Sequence, residues 1–225
     1  MLNTIKNTHP RVILVHGLFM GRHAMLSLSR RLRRAGFSVE CFAYNTVTGS
    51  LDAAAARLRA RIALDERPVA LVGHSLGGLV SLHAAQGLPA GRIQAVVMLG
   101  SPYQGAEAGV KLRKLTGGPR SIIARALAEW AGLDSKPTVQ VPVFTLVGTR
   151  SAGLGRVVCG FTEPNDGTVT VAETHYPGAT SRQMEVSHTG MLFNEQVAQQ
   201  VAGWLQLQNT AVAASEPAEL DELVA

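Results

Sequence analysis

The chain has 225 residues, 46% hydrophobic and 16% charged, with a formal net charge of +5. That length supports one domain with a full core, and the basic residues have no interleaved aromatics or motif for nucleic acid. No apolar run approaches the roughly eighteen residues of a membrane span, and Met1 to Pro10 lacks the apolar centre of a secretory signal. The chain therefore reads as cytoplasmic, although a mature form trimmed of its signal would read the same.

From residue 12 onward, strand and helix patterns alternate, which predicts a mostly parallel sheet covered by helices. Arg11 to Val15 is a short buried strand ending at His16-Gly17. A helix follows over about 22–34 and stops at Gly36, and Phe37 to Tyr44 reads as a second strand. Ser50-Leu51-Asp52 starts an alanine- and arginine-rich helix that reaches Leu64. The apolar run Val69-Ala70-Leu71-Val72 is a third strand, with a helix after it to about Gln86. Ile93 to Leu99, Val141 to Val147 and Gln183 to Val186 complete the strands. A last helix covers about Gly190 to Leu207. Residues 101–140 interrupt this rhythm as a small helical cap insertion, and 148–168 form a glycine-rich loop. The domain is thus expected over 1–207, with 208–225 a disordered acidic tail.

Arginines 30, 31, 33 and 34, and again 57, 59 and 61, have helical spacing and read as solvated helix faces. Weak peripheral contact with an anionic membrane surface is the alternative. Cys41 and Cys159 read as unpaired core thiols, with one disulfide as the minority reading. No Cys/His cluster has metal spacing.

The most informative run is Gly73-His74-Ser75-Leu76-Gly77-Gly78, directly after the third strand. A G-x-S-x-G turn between strand and helix places a serine hydroxyl on a strained, exposed corner. A Cβ at position 73 or 77 would collide with a neighbouring element in so tight a turn. A neutral serine is a poor nucleophile, so this reading requires a base, an orienting acid and oxyanion donors elsewhere.

Four pieces in order, His16-Gly17-Leu18, Gly73 to Gly78, Asn165-Asp166-Gly167 and Ser187-His188, make the chain resemble the α/β-hydrolase family. Within it, the resemblance is to small bacterial serine esterases and lipases. It implies an α/β-hydrolase fold and a Ser…Asp…His order of catalytic groups. Ser75 would be the nucleophile, His188 the general base and acid, and Asp166 the group that orients the imidazole. The backbone N–H groups of Leu18 and Leu76 would form the oxyanion hole. His175 is the rival base, with Glu163 and Glu173 as reserve carboxylates. His16 and His74 would pack beside the machinery. Some bacterial lipases carry an aspartate two residues after the histidine that helps bind calcium; here that position is Gly190, so neither a metal nor a cofactor is implied.

Phe19, Met20, Tyr103 and Trp130 would contact the acyl group, with packing of the cap as the alternative role for the last two. The expected substrate is a small-molecule carboxylic ester, cleaved through an acyl-enzyme. A thioesterase or acyltransferase sharing that intermediate, and a hydrolase-like binding protein without turnover, are the competing readings. The oligomeric state is left open.

Overall fold

The computed structural model describes residues 11–46, 49–105, 136–152 and 161–215. Six strands form one parallel sheet: β1 (Arg11–Val15), β2 (Ser38–Phe42), β3 (Val69–His74), β4 (Ile93–Leu99), β5 (Val143–Gly148) and β6 (Thr180–Met184). Their spatial order is β2-β1-β3-β4-β5-β6. Among the described residues, four helices cover it: α1 (Leu26–Arg34), α2 (Leu51–Ala63), α3 (Leu76–Gln86) and α4 (Glu195–Ser215).

The alternation of side chains along each strand divides the core in two. Ile13, Val15, Leu71, Val96 and Met98 face α2 and α3, among Leu58, Ile62, Leu79 and Val80. Val12, Leu14, Ala70, Val72, Val97 and Leu99 face α1 and α4, among Leu28, Leu32, Val197 and Val201. Both faces of the central strands are therefore dry, which is why β1, β3 and β4 read as continuous apolar runs rather than alternating ones. Each fully buried Leu, Ile or Val adds about 1.5–3 kcal/mol from its apolar area.

Several boundaries differ from expectation. Pairing of β2 with β1 stops at Phe42 opposite Val15, where β1 itself ends; Tyr44 lies beyond the strand. The helix expected over 22–34 begins as a 3-10 turn, Arg22–Met25. The last strand is Thr180–Met184 rather than 183–186. It is a polar edge strand, so it has no apolar run to mark it. The expected final helix is split: Gly190–Leu192 is a 3-10 turn, and α4 starts afresh after Asn194, whose Oδ1 accepts the Val197 N–H at 3.0 Å. Asparagine in that capping position satisfies a helix-start donor. α4 continues past Leu207 to Ser215, through an alanine-rich stretch with high helix propensity.

Residues 216–225 of the expected acidic tail lie outside the described residues, as do most of the cap and Cys159. Cys41 is a free, half-buried thiol on β2. Among the described residues, no helix is long and apolar enough to cross a membrane.

The strand order locates the site. From β1 the chain moves outward to β2, then crosses back to β3 and proceeds to β4, β5 and β6. The loops leaving β1 and β3 thus diverge, and open sheets of this kind bind ligands in the crevice at that reversal, beyond the carboxyl ends of the strands.

Candidate active site

Ser75 stands at this reversal, between the end of β3 and the start of α3. Its backbone is left-handed, with φ 54° and ψ −124°. A non-glycine residue held there costs about 1–3 kcal/mol, so surrounding contacts must fix it. The Ser75 N–H donates to Leu99 O at 2.9 Å, and the Gly78 N–H donates back to Ser75 O at 3.0 Å. A Cβ on Gly73 would run into the backbone of Gly77 and Gly78, and one on Gly77 into the carbonyl of Val15. The two glycines let α3 press against β3 and β1 at the corner, as the motif predicts.

Asp166 and His188 meet, though 22 residues separate them in sequence. His188 Nδ1 lies 2.7 Å from Asp166 Oδ2, and the His188 N–H donates to Asp166 O at 2.8 Å. Asp166 Oδ1 accepts the N–H groups of Thr168 and Val169 at 2.9 and 2.8 Å. Asn165-Asp166-Gly167 is therefore a turn, and it also aims its carboxylate at the imidazole. The carboxylate can only accept from Nδ1, so a ring proton sits on Nδ1, and in the neutral imidazole that tautomer leaves the lone pair on Nε2. Asp166 is 1% exposed and His188 8%.

His74 ties this pair to the serine corner. Its Nε2 donates to His188 O at 2.9 Å, and its ring centroid lies 4.7 Å from that of His188. His74 is the residue before Ser75, so the serine and the Asp166–His188 pair share one end of the sheet. Desolvation, reinforced by the neighbouring His188, lowers the His74 pKa to about 3, against its hydrogen bond to the His188 carbonyl and with a further push from His16. His16, also fully buried, is lowered by desolvation against its bond to Gly17 O. Both rings are neutral in the folded protein at pH 7.

A histidine kept neutral by folding makes stability depend on pH in one direction. Below pH about 6.5 the unfolded chain takes up a proton that folded His74 refuses. Stability is full above that pH and falls by about 1.4 kcal/mol per pH unit as the pH drops toward 3. Urea unfolding at pH 7 and pH 5 checks this: the wild-type midpoint is expected to drop, and His74→Gln to drop less. Equal slopes would remove His74 as the source.

The other expected site residues are placed as follows. Leu76 is the first residue of α3, where backbone N–H groups lack helical partners. Leu18 is half-buried in the loop after β1, and among the described residues its N–H has no hydrogen-bond partner. Phe19, at φ 56°, is 56% exposed on the same loop, and Met20 packs into the α1 side of the core. Tyr103 is buried, its ring centroid 4.7 Å from that of Tyr176. Trp130 lies outside the described residues.

His175 is exposed, and its carbonyl accepts from Gln104 at 2.9 Å. Glu163 is exposed, and Glu173 accepts the Thr170 N–H at 2.7 Å.

Gly100 was not singled out by the sequence. It closes β4 at φ 56°, and a Cβ there would come within 2.9 Å of Asp166 Oδ2 and 3.1 Å of His188 Nδ1. Its signal is a glycine ending an apolar strand, as Gly17 ends β1. Tyr44 and Thr46, which touch the loop after β1, have no such marker.

Residues 12–220 match the family described as the alpha/beta hydrolase family. No curated protein sequence matches the chain. The fold is similar to Bacillus licheniformis lipase BlEst2 in its mature form, with TM-score 0.73 and 19% identity over 92% of this chain and 95% of that one. It is also similar to Paleococcus ferrophilus monoacylglycerol lipase (TM-score 0.59, 18% identity, 89% and 96% covered). Bacillus subtilis carboxylesterase CesB is a third (TM-score 0.55, 16% identity, 88% and 84% covered). At these identities the likeness is one of fold, and the sequence match to the family spans nearly the whole chain. The parallel sheet, the serine corner after β3 and the match over residues 12–220 together make the chain a member of the α/β-hydrolase family.

Proposed function

We propose that the protein is a serine hydrolase of small carboxylic esters. The observation that carries this reading is the 2.7 Å contact of Asp166 with His188 Nδ1, at the sheet end where Ser75 occupies its strained corner. In this scheme Ser75 Oγ attacks the ester carbonyl while His188 Nε2 takes the hydroxyl proton. The carbonyl oxygen becomes an anion between the N–H groups of Leu18 and Leu76, where the start of α3 adds its positive end. His188 returns the proton to the departing alcohol, leaving an acyl-enzyme. Water then attacks, again with His188 as base, and frees the acid and Ser75. The lipase and carboxylesterase names of the similar structures support an ester as substrate.

The test is a set of p-nitrophenyl esters of graded acyl length beside acyl-CoA thioesters, with fluorophosphonate labelling of Ser75. Ester turnover with labelling is expected. Preference for acyl-CoA would move the reading to a thioesterase, and no labelling with no turnover to a binding protein. His188→Ala is expected to lower kcat by about a millionfold, as loss of a triad base does, whereas His175→Ala leaves it unchanged. The reverse outcome would exchange the two histidines.

A further inference from the structure

We propose that Tyr44 and Thr46, on the segment between β2 and α2, are positioning residues that clamp the loop after β1 and thereby aim the Leu18 N–H. This inference rests on the hydrolase reading above and assigns it a device the motifs do not contain.

The two side chains bracket the donor. Upstream, the Tyr44 hydroxyl donates to His16 O at 2.8 Å, and the Tyr44 ring stacks on the His16 ring with centroids 4.6 Å apart at 25°. Phe42 backs that stack, 5.9 Å behind Tyr44. Downstream, the Phe19 N–H donates to Thr46 Oγ1 at 3.2 Å. The Gly17–Leu18 peptide, whose N–H would meet the oxyanion, lies between these two fixed points. Neither partner is free to move: His16 is fully buried and Thr46 is 6% exposed. Burial also raises the Tyr44 pKa, so its hydroxyl remains a donor at any working pH.

The clamp has strain to hold. Phe19 is, besides Ser75, the non-glycine residue in the left-handed region among those described, and its ring is 56% exposed, so side-chain packing does not enforce that backbone. Its fixed points are the Thr46 hydroxyl and the turn closed by the Met20 N–H on Gly17 O at 3.3 Å. A loop released from Thr46 relaxes toward ordinary φ and rotates the peptides beside Phe19. Oxyanion donors act by being in place before charge develops, so a donor that must be reoriented during reaction loses part of its effect.

The experiment removes the hydrogen bonds while keeping shape: Thr46→Val, Tyr44→Phe and, as rescue, Thr46→Ser. Each is assayed for kcat and KM on a p-nitrophenyl ester and for affinity to an alkyl boronic acid, which becomes a tetrahedral anion on Ser75. Thr46→Val and Tyr44→Phe are expected to lower kcat by about tenfold or more, below the hundredfold typical of losing a donor outright. KM should hold, boronic-acid affinity should fall in parallel, and Thr46→Ser should restore both. If Thr46→Val does not fold, Tyr44→Phe, which keeps the stacked ring, carries the test. Unchanged kcat and boronic-acid affinity, or a change in KM alone, overturns the clamp. Wild-type protein that neither cleaves esters nor binds the boronic acid overturns the hydrolase reading itself, and the clamp with it.

Discussion

Replacing Ser75 with alanine is expected to end ester turnover, with kcat down by about a millionfold, while the protein remains folded. The substitution removes one oxygen from a half-buried side chain and leaves the Cβ in place. The corner is shaped by backbone contacts that alanine keeps: the Ser75 N–H on Leu99 O, the Gly78 N–H on Ser75 O, and the close approach permitted by Gly73 and Gly77. The stability change should therefore stay within about 0.5 kcal/mol, the range of substitutions that disturb no packing or buried bond. Residual rate above the uncatalysed reaction would come from the oxyanion donors and binding alone. Burst kinetics with a p-nitrophenyl ester and a thermal melt on the same sample separate the two effects. A variant that still shows a burst means that some other group is acylated; one that fails to fold means that Ser75 has a structural role not visible in its contacts.

Asp166→Asn is expected to cost about ten-thousandfold in kcat, a loss that follows from which way the amide must face. Two backbone donors, the N–H groups of Thr168 and Val169, point at Oδ1. The amide oxygen must occupy that position, because an NH2 group there would confront two donors. The NH2 then faces His188 Nδ1 and donates to it, driving the ring proton to Nε2. An Nε2 that already carries a proton cannot take one from serine. Nitrogen-15 shifts of His188 report the tautomer directly and should exchange between wild type and variant. An unchanged tautomer beside a large loss of rate would point to the lost charge instead; unchanged rate would remove Asp166 from the mechanism.

Much of the site was legible because covalent neighbours carry it. The strand-glycine-serine-glycine run fixes a corner whose geometry depends on residues within a few positions, and the structure forms it as the sequence implies. His16-Gly17-Leu18 was legible for the same reason. Asp166 and His188 were paired in expectation only by their order along the chain; the 2.7 Å contact between them arises once β5 and β6 bring their loops together. Tyr44 and Thr46 stayed hidden because they act on residues 28 and 27 positions away, by single hydrogen bonds that leave no period in the sequence. The contact of Tyr103 with Tyr176 was equally invisible, because the two rings are 73 positions apart in sequence and meet only in the fold.

The outermost strand, β6, is written almost wholly in polar residues, Thr180, Ser181, Arg182 and Gln183, and all four are exposed. One side of it is bonded to β5, and among the described residues no strand pairs with the other, the kind of edge onto which a neighbouring copy could stack without end. Hydration of those four side chains, and the repulsion between arginines brought together, make such growth unfavourable. The polar rim of the unclosed sheet thus disfavours end-to-end growth of this protein into fibres.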